Sequence, residues 1–115
     1  MTQNNAQSGG LENSRPYNLA ALLDYVEGSV VSRTIKKGKT GTLTVFSFDR
    51  GQELSEHTAP FDAYAYIVDG SARIVIDGND VNVDAGEIIL MPANVPHSLH
   101  AEKRFKMLLT MIKEV

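Results

Sequence analysis

Between Tyr64 and Met91 the chain reads YAYIVDGSARIVIDGNDVNVDAGEIILM, short runs of β-branched and aromatic residues cut by Gly, Asp and Asn. Runs of this kind form pleated strands, because such side chains fill a half-buried face and side chains alternate across the pleat. Tyr64–Val68 and Ala72–Ile76 are predicted strands around a hairpin at Asp69-Gly70. A second hairpin joins Ile76 to Val81 through Asp77-Gly78-Asn79-Asp80, since Gly accepts the positive φ that tight turns need. The strand Glu87–Met91 ends at Pro92.

The same texture extends outward on both sides. Val30–Lys36 and Thr42–Phe48 read as strands around KKGKTG, whose lysines suit a solvated tip, and Phe105–Ile112 supplies the last strand after a solvated turn carrying Lys103, Arg104 and Lys106. Upstream, Leu19, Leu22, Leu23 and Val26 recur at helical spacing, with Asn18 to cap the start and Gly28 to close the end, which predicts one short helix. Residues 1–16, MTQNNAQSGGLENSRP, are too polar to repay the entropy of ordering and read as a flexible arm. Residues 17–115 then form one domain. Five or more closely spaced short strands with compact turns indicate an antiparallel sandwich or barrel, an all-β fold with one short N-terminal helix.

Composition narrows the functional classes. The chain of 115 residues has no Cys, which removes disulfides, thiolate nucleophiles and iron–sulfur clusters and leaves His57, His97 and His100 as the only imidazoles for a metal. Lys and Arg number 11 against 14 Asp and Glu, a net charge of −3, which argues against nucleic acid as a partner. Neither a secretory signal nor about 20 consecutive apolar residues can be found, so a soluble cytoplasmic protein with no membrane partner is expected.

Two segments carry the candidate chemistry. The first, GQELSEHTAPFDAYAYIVDG, residues 51–70, places His57, Ala59, Ala63 and Gly70 after Gly51. The second, GEIILMPANVPHSLHA, residues 86–101, places Pro92, Asn94, His97 and Ala101 after Gly86. Together they resemble the two signature motifs of the cupin family: Gly, five residues, His, one, His, three or four, Glu, six, Gly; and Gly, five, Pro, one, Gly, two, His, three, Asn. The spacing is kept throughout. The second His is replaced by Ala59, the Glu by Ala63, the motif Gly by Asn94 and the motif Asn by Ala101. The resemblance implies a small antiparallel jelly-roll β-barrel, commonly a homodimer.

In cupins the matching positions hold a divalent metal with three His and one Glu; here His57 and His97 alone remain. Glu53, Glu56 and Asp62 lie nearby in sequence, but Glu56 and Asp62 sit one residue from inward positions and are expected to point away. Ala59, Ala63 and, by alternation, Ala65 give a small apolar face, so His57, Ala59, Ala63, Ala65 and His97 are the expected lining of a pocket for a small, partly apolar molecule. Catalytic residues are left unassigned, and no cofactor is required. The alternative implied by the resemblance is a metalloenzyme of dioxygenase or isomerase type, in which His57 and His97 hold one zinc, iron, manganese or nickel ion and water or substrate completes the site. His100, three residues past His97, falls on the opposite face and reads as a surface residue. Tyr64 and Tyr66 alternate with the alanines and suit the outside of the sheet as a dimer contact. Met91, Met107 and Met111 read as core or pocket filler.

Overall fold

A computed structural model describes residues 10–113. Eight strands follow one another: β1 Val30–Gly38, β2 Gly41–Phe48, β3 Glu53–His57, β4 Asp62–Ile76, β5 Asn79–Asp84, β6 Ile88–Met91, β7 His97–His100 and β8 Phe105–Ile112. All pairings are antiparallel. One layer runs β1, β2, β8, the first half of β4 and β6; the other runs β5, the second half of β4, β7 and β3. This is a curled jelly-roll barrel, and the expected last strand has the predicted limits. The first nine residues of the expected arm lie outside the described residues.

The predicted hairpin at Asp69-Gly70 is not a turn. β4 continues through it for 15 residues and passes from one layer into the other. Along Asp62–Gly70 it pairs with β8, with a register shift between Ile67 and Asp69. Gly70 has φ +76°, and a Cβ there would strike the Arg104 carbonyl oxygen. A glycine at positive φ serves a bulged bend as well as a turn, and the difference is decided by β8, which is remote in sequence. The hairpin after Ile76 is as predicted, with Asp77 at φ +51° and Gly78 at φ +80°.

The N-terminal helix is also shorter than its leucines suggest, a single 3-10 turn over Leu19–Ala21 capped by Asn18. The backbone groups a longer helix would pair are taken by the sheet. Gly28 N, which would donate to the Asp24 carbonyl, donates instead to Asp49 Oδ2 at 2.7 Å, and the Asp24 carbonyl accepts from Ser47 Oγ at 2.9 Å. Lys106 Nζ donates to the Ala20 carbonyl at 2.6 Å, so Lys106 is buried under this strap, and Arg104 pairs with Asp49 at 2.8 Å. Neither belongs to a freely solvated turn.

Inside, the two layers share one core in which Phe48 and Phe105 stack with centroids 4.4 Å apart, surrounded by Ile67, Ile74, Leu99 and Met107. The Gly70 bend closes this end. Ala63 and Ile76, near the two ends of β4, mark the opposite end, where the inward residues Leu109 and Met111 are only partly buried.

Candidate functional site

The mouth at that opposite end is built by two short connections that cross from one layer to the other. Residues 58–61 run from His57 on β3 to Asp62 at the start of β4, and residues 92–96 run from Met91 on β6 to His97 on β7. Asn94 N donates to the Ala59 carbonyl at 2.7 Å and Ala93 N to Asp62 Oδ1 at 2.9 Å, which ties the connections together. Asn94 adopts φ +64°, the left-handed conformation expected of an Asn standing in for Gly. His57 and His97 end one side of this crossing; Ala63 and Met91, paired in register, end the other.

His57 and His97 face each other across β3 and β7. Their rings meet edge to face, with centroids 4.4 Å apart and planes at 67°. Each Nδ1 lies against the carbonyl two residues earlier, His57 with Ser55 at 2.7 Å and His97 with Val95 at 3.1 Å. A carbonyl can only accept, so in the neutral ring Nδ1 carries the proton and Nε2 keeps its lone pair. His97 is 5% exposed and His57 is exposed. Burial pushes the His97 pKa below its ordinary value, the Val95 carbonyl opposes this, and the charge of a protonated His57 pushes it down further. The pair therefore sets one exposed imidazole edge-on against one buried imidazole, each with its Nδ1 on a backbone carbonyl.

Ala59 lies half-buried in the first connection, while Ala63 and Ala65 point inward as the alternation predicts and are closed into the packed core. Ala63 is flanked on both sides by thioethers, since it pairs with Met91 on β6 and Met111 on β8. Their sequence positions suit core filler, and the sheet register sets them on either side of Ala63.

Two of the three carboxylates near the motif are engaged elsewhere, and Glu56 is exposed. Asp62 holds Ala93 N, and Glu53 reaches His100 Nδ1 at 3.2 Å. Among the described residues no group of three His, Asp or Glu side chains is placed to hold a metal ion. A hard dication prefers several oxygen or mixed oxygen–nitrogen ligands, so the residues of the mouth do not fit one well. His100 falls on the outer face, as its spacing requires, and its Nε2 lies 2.9 Å from Ser98 Oγ. With Glu53 it fastens β3, the edge strand that carries His57, to β7.

Tyr64 and Tyr66 lie on the outside of β4, half-buried, beside Leu90 and Ile88 of β6, which are 41% and 61% exposed. No helix among the described residues is long and apolar enough to cross a membrane.

A family model described as Cupin domain matches residues 44–113. A conserved protein of unknown function from Streptococcus pyogenes is 36% identical, with a TM-score of 0.88 over 92% of this chain and 93% of that one. A cupin superfamily protein from Desulfitobacterium hafniense is 28% identical, with a TM-score of 0.86 over 91% and 96%. A Cupin 2 conserved barrel domain protein from Leptotrichia buccalis is 39% identical, with a TM-score of 0.83 over 84% of this chain but 47% of that one, so the chain spans about half of that relative. No curated protein matches the chain.

Proposed function

The chain belongs to the cupin family, and from that premise we propose that its barrel binds a small, partly apolar molecule at the mouth marked by His57 and His97. The observation that carries this reading is the imidazole pair itself: two rings in edge contact, each with its Nδ1 already bonded to the backbone and its Nε2 unspent. The inward residues Ile76, Leu109 and Met111 at this end are apolar and only partly buried. Apolar walls with a few convergent polar groups are the usual make-up of a small-molecule site. The two Nε2 atoms suit a ligand with a hydroxyl or amide donor.

A thermal-shift screen of small aromatic and aliphatic alcohols, amides and acids tests the proposal. Binding to the folded state alone raises the melting temperature. A stabilising compound whose effect vanishes in both His57→Ala and His97→Gln supports it; stabilisation that persists in both variants, or no stabilising compound in the series, overturns it.

We also propose a homodimer joined through the outer face of β4 and β6. Tyr is enriched at such contacts, and Ile88 and Leu90 form an apolar surface beside Tyr64 and Tyr66. Light scattering reads the mass directly: a dimer that becomes a monomer in Ile88→Asp supports the contact, and a monomer in the unmodified protein removes it.

A further inference from the structure

We propose that the molecule taken at the mouth is a carboxylic acid, its carboxylate held by the Lys37 ammonium and the Thr42 hydroxyl and its apolar body laid against Leu109 and Met111. The inference rests on the reading of this mouth as a binding site and adds the class of its occupant. Antiparallel partners share one face of a sheet, so a row of partners can be followed across the layer. The row nearest the mouth runs through Lys37 on β1, Thr42 on β2, Met111 on β8, Ala63 on β4 and Met91 on β6. Ala63 and Met91 belong to the core, so this row faces inward, Lys37 included. A register shift between Thr34 and Lys36 is what brings Lys37, rather than Lys36, opposite Thr42. The lysine read from sequence as part of a solvated tip is therefore a strand residue on the concave side. Among the inward members of the strand pairs, Lys37 is the one charged side chain, and it forms no ion pair among the described residues.

This side of the concave face is open where the other side is closed. Ser32, Thr34 and Lys37 point inward yet are exposed, and Thr42 and Thr44 are half-buried, whereas Ala63, Ala65 and Met91 are fully packed. Thr42 Oγ1 is the one buried side-chain polar atom among the described residues with no hydrogen-bond partner. Buried polar groups are nearly always paired, because an unpaired one has given up its bond to water for nothing, and a ligand oxygen supplies the missing partner. Its row neighbours Lys37 and Met111 both have unbranched side chains that can move aside to admit that oxygen. Directly paired side chains stand about 5 Å apart at Cβ, so one carboxylate can take a charged hydrogen bond from Lys37 and a neutral one from Thr42. A phosphate, with more charge and more oxygens, asks for an arginine fork or a nest of backbone N–H groups, and this row has neither. Leu109 and Met111, next along the rows from Thr44 and Thr42, are apolar and partly buried, which suits the body of the acid.

Calorimetric titration at pH 8, above the ordinary histidine range so that Lys37 is the cation under test, compares two matched pairs: mandelate with mandelamide, and 2-hydroxyhexanoate with 2-hydroxyhexanamide. Each acid should bind about tenfold more tightly than its amide and weaken as sodium chloride is raised, because the charge-assisted bond forms at an exposed lysine. Lys37→Met should erase that preference and leave amide binding unchanged. Thr42→Val should weaken the acids by about threefold or more and leave the melting temperature unchanged or higher, since no protein group loses a partner. Acids bound no more tightly than their amides, a preference that survives Lys37→Met, or a lower melting temperature in Thr42→Val overturns the inference. If the amides bind with dependence on His57 and His97 but the acids gain nothing over them, the binding function stands while the carboxylate subsite falls. An acid preference lost in Lys37→Met but indifferent to both histidine variants keeps the subsite and removes the histidines from the site.

Discussion

The two ends of the barrel are built for different tasks. At the bend of β4, Phe48 and Phe105 stack with no exposed surface, Gly70 lies against the Arg104 backbone, and the N-terminal strap is pinned by Tyr25 to Asp69 at 2.5 Å and by Gly28 to Asp49. At the mouth, Ile76, Leu109 and Met111 are only partly buried, the register of β3 against β7 breaks between Leu54 and His57, and the exposed His57 ring meets the buried His97 ring. A well-packed end supplies stability; the loosely covered end with unspent lone pairs is the one proposed to bind a ligand. Substitutions at one end should therefore be read as changes in folding, and those at the other mainly as changes in binding.

The largest break is expected at the closed end. Phe105→Ala removes half of the stacked pair from a fully buried position and should cost about 3–5 kcal/mol in chemical denaturation. Gly70→Ala belongs to the same end and should cost roughly 2–3 kcal/mol, because the new Cβ meets backbone rather than a side chain that can move aside, at a φ that L-residues rarely adopt.

Ala63→Glu sharpens the contrast from the other side. It places a carboxylate in the core at the position where the family's pattern has Glu. Without metal it should destabilise by roughly 2 kcal/mol, the cost of burying a poorly paired acid. Added Mn(II) or Ni(II) should raise its melting temperature and leave that of the unmodified protein where it was, by linkage to binding. Equal response in both proteins would mean that the mouth already holds a dication.

Tyr25→Phe lies between the extremes. It deletes the hydroxyl that donates to Asp69 and leaves the ring beside Arg104 and Lys106, so a loss of about 1–2 kcal/mol is expected, at the low end for a hydrogen bond to a charged acceptor because the contact is exposed. Burial and the Asp69 carboxylate both push the Tyr25 pKa upward, so the hydroxyl keeps its proton and this contact should hold across the neutral range.

What was legible in sequence follows the same division. The strand class, the last strand and the turn at Asp77-Gly78 depend on local alternation and backbone preference, and each was readable. The closeness of His57 and His97 was readable only through motif spacing, because their segments are 40 residues apart. Three features were out of reach for a common reason. Asp69-Gly70 bends instead of turning because β8 lies alongside; the strap stays non-helical because Ser47, Asp49 and Lys106 capture its backbone groups; and Met91 and Met111 flank Ala63 because three strands pair in one register. Each is settled by partners distant in sequence, where local propensity carries no information.

The smallest effect on stability, and the most diagnostic for the mouth, is its response to acid. The His97 pKa is lowered in the folded protein, chiefly by burial, so around and below pH 6.5 the unfolded chain binds more protons than the folded one. Stability should be complete above that ordinary value, fall as the pH drops from it toward the depressed folded value, and level off once His97 is protonated in both states. His97→Gln should flatten this part of the profile, measured as melting temperature between about pH 8 and pH 5. His57→Ala should flatten it partially, even though His57 is exposed, because a protonated His57 contributes to the depression of its neighbour. At neutral pH the same His57 substitution should leave stability nearly unchanged, since it empties no core position. A His57→Ala profile that superimposes on that of the unmodified protein would show that the two rings titrate independently, and with that the mouth would lose its standing as a coupled pair.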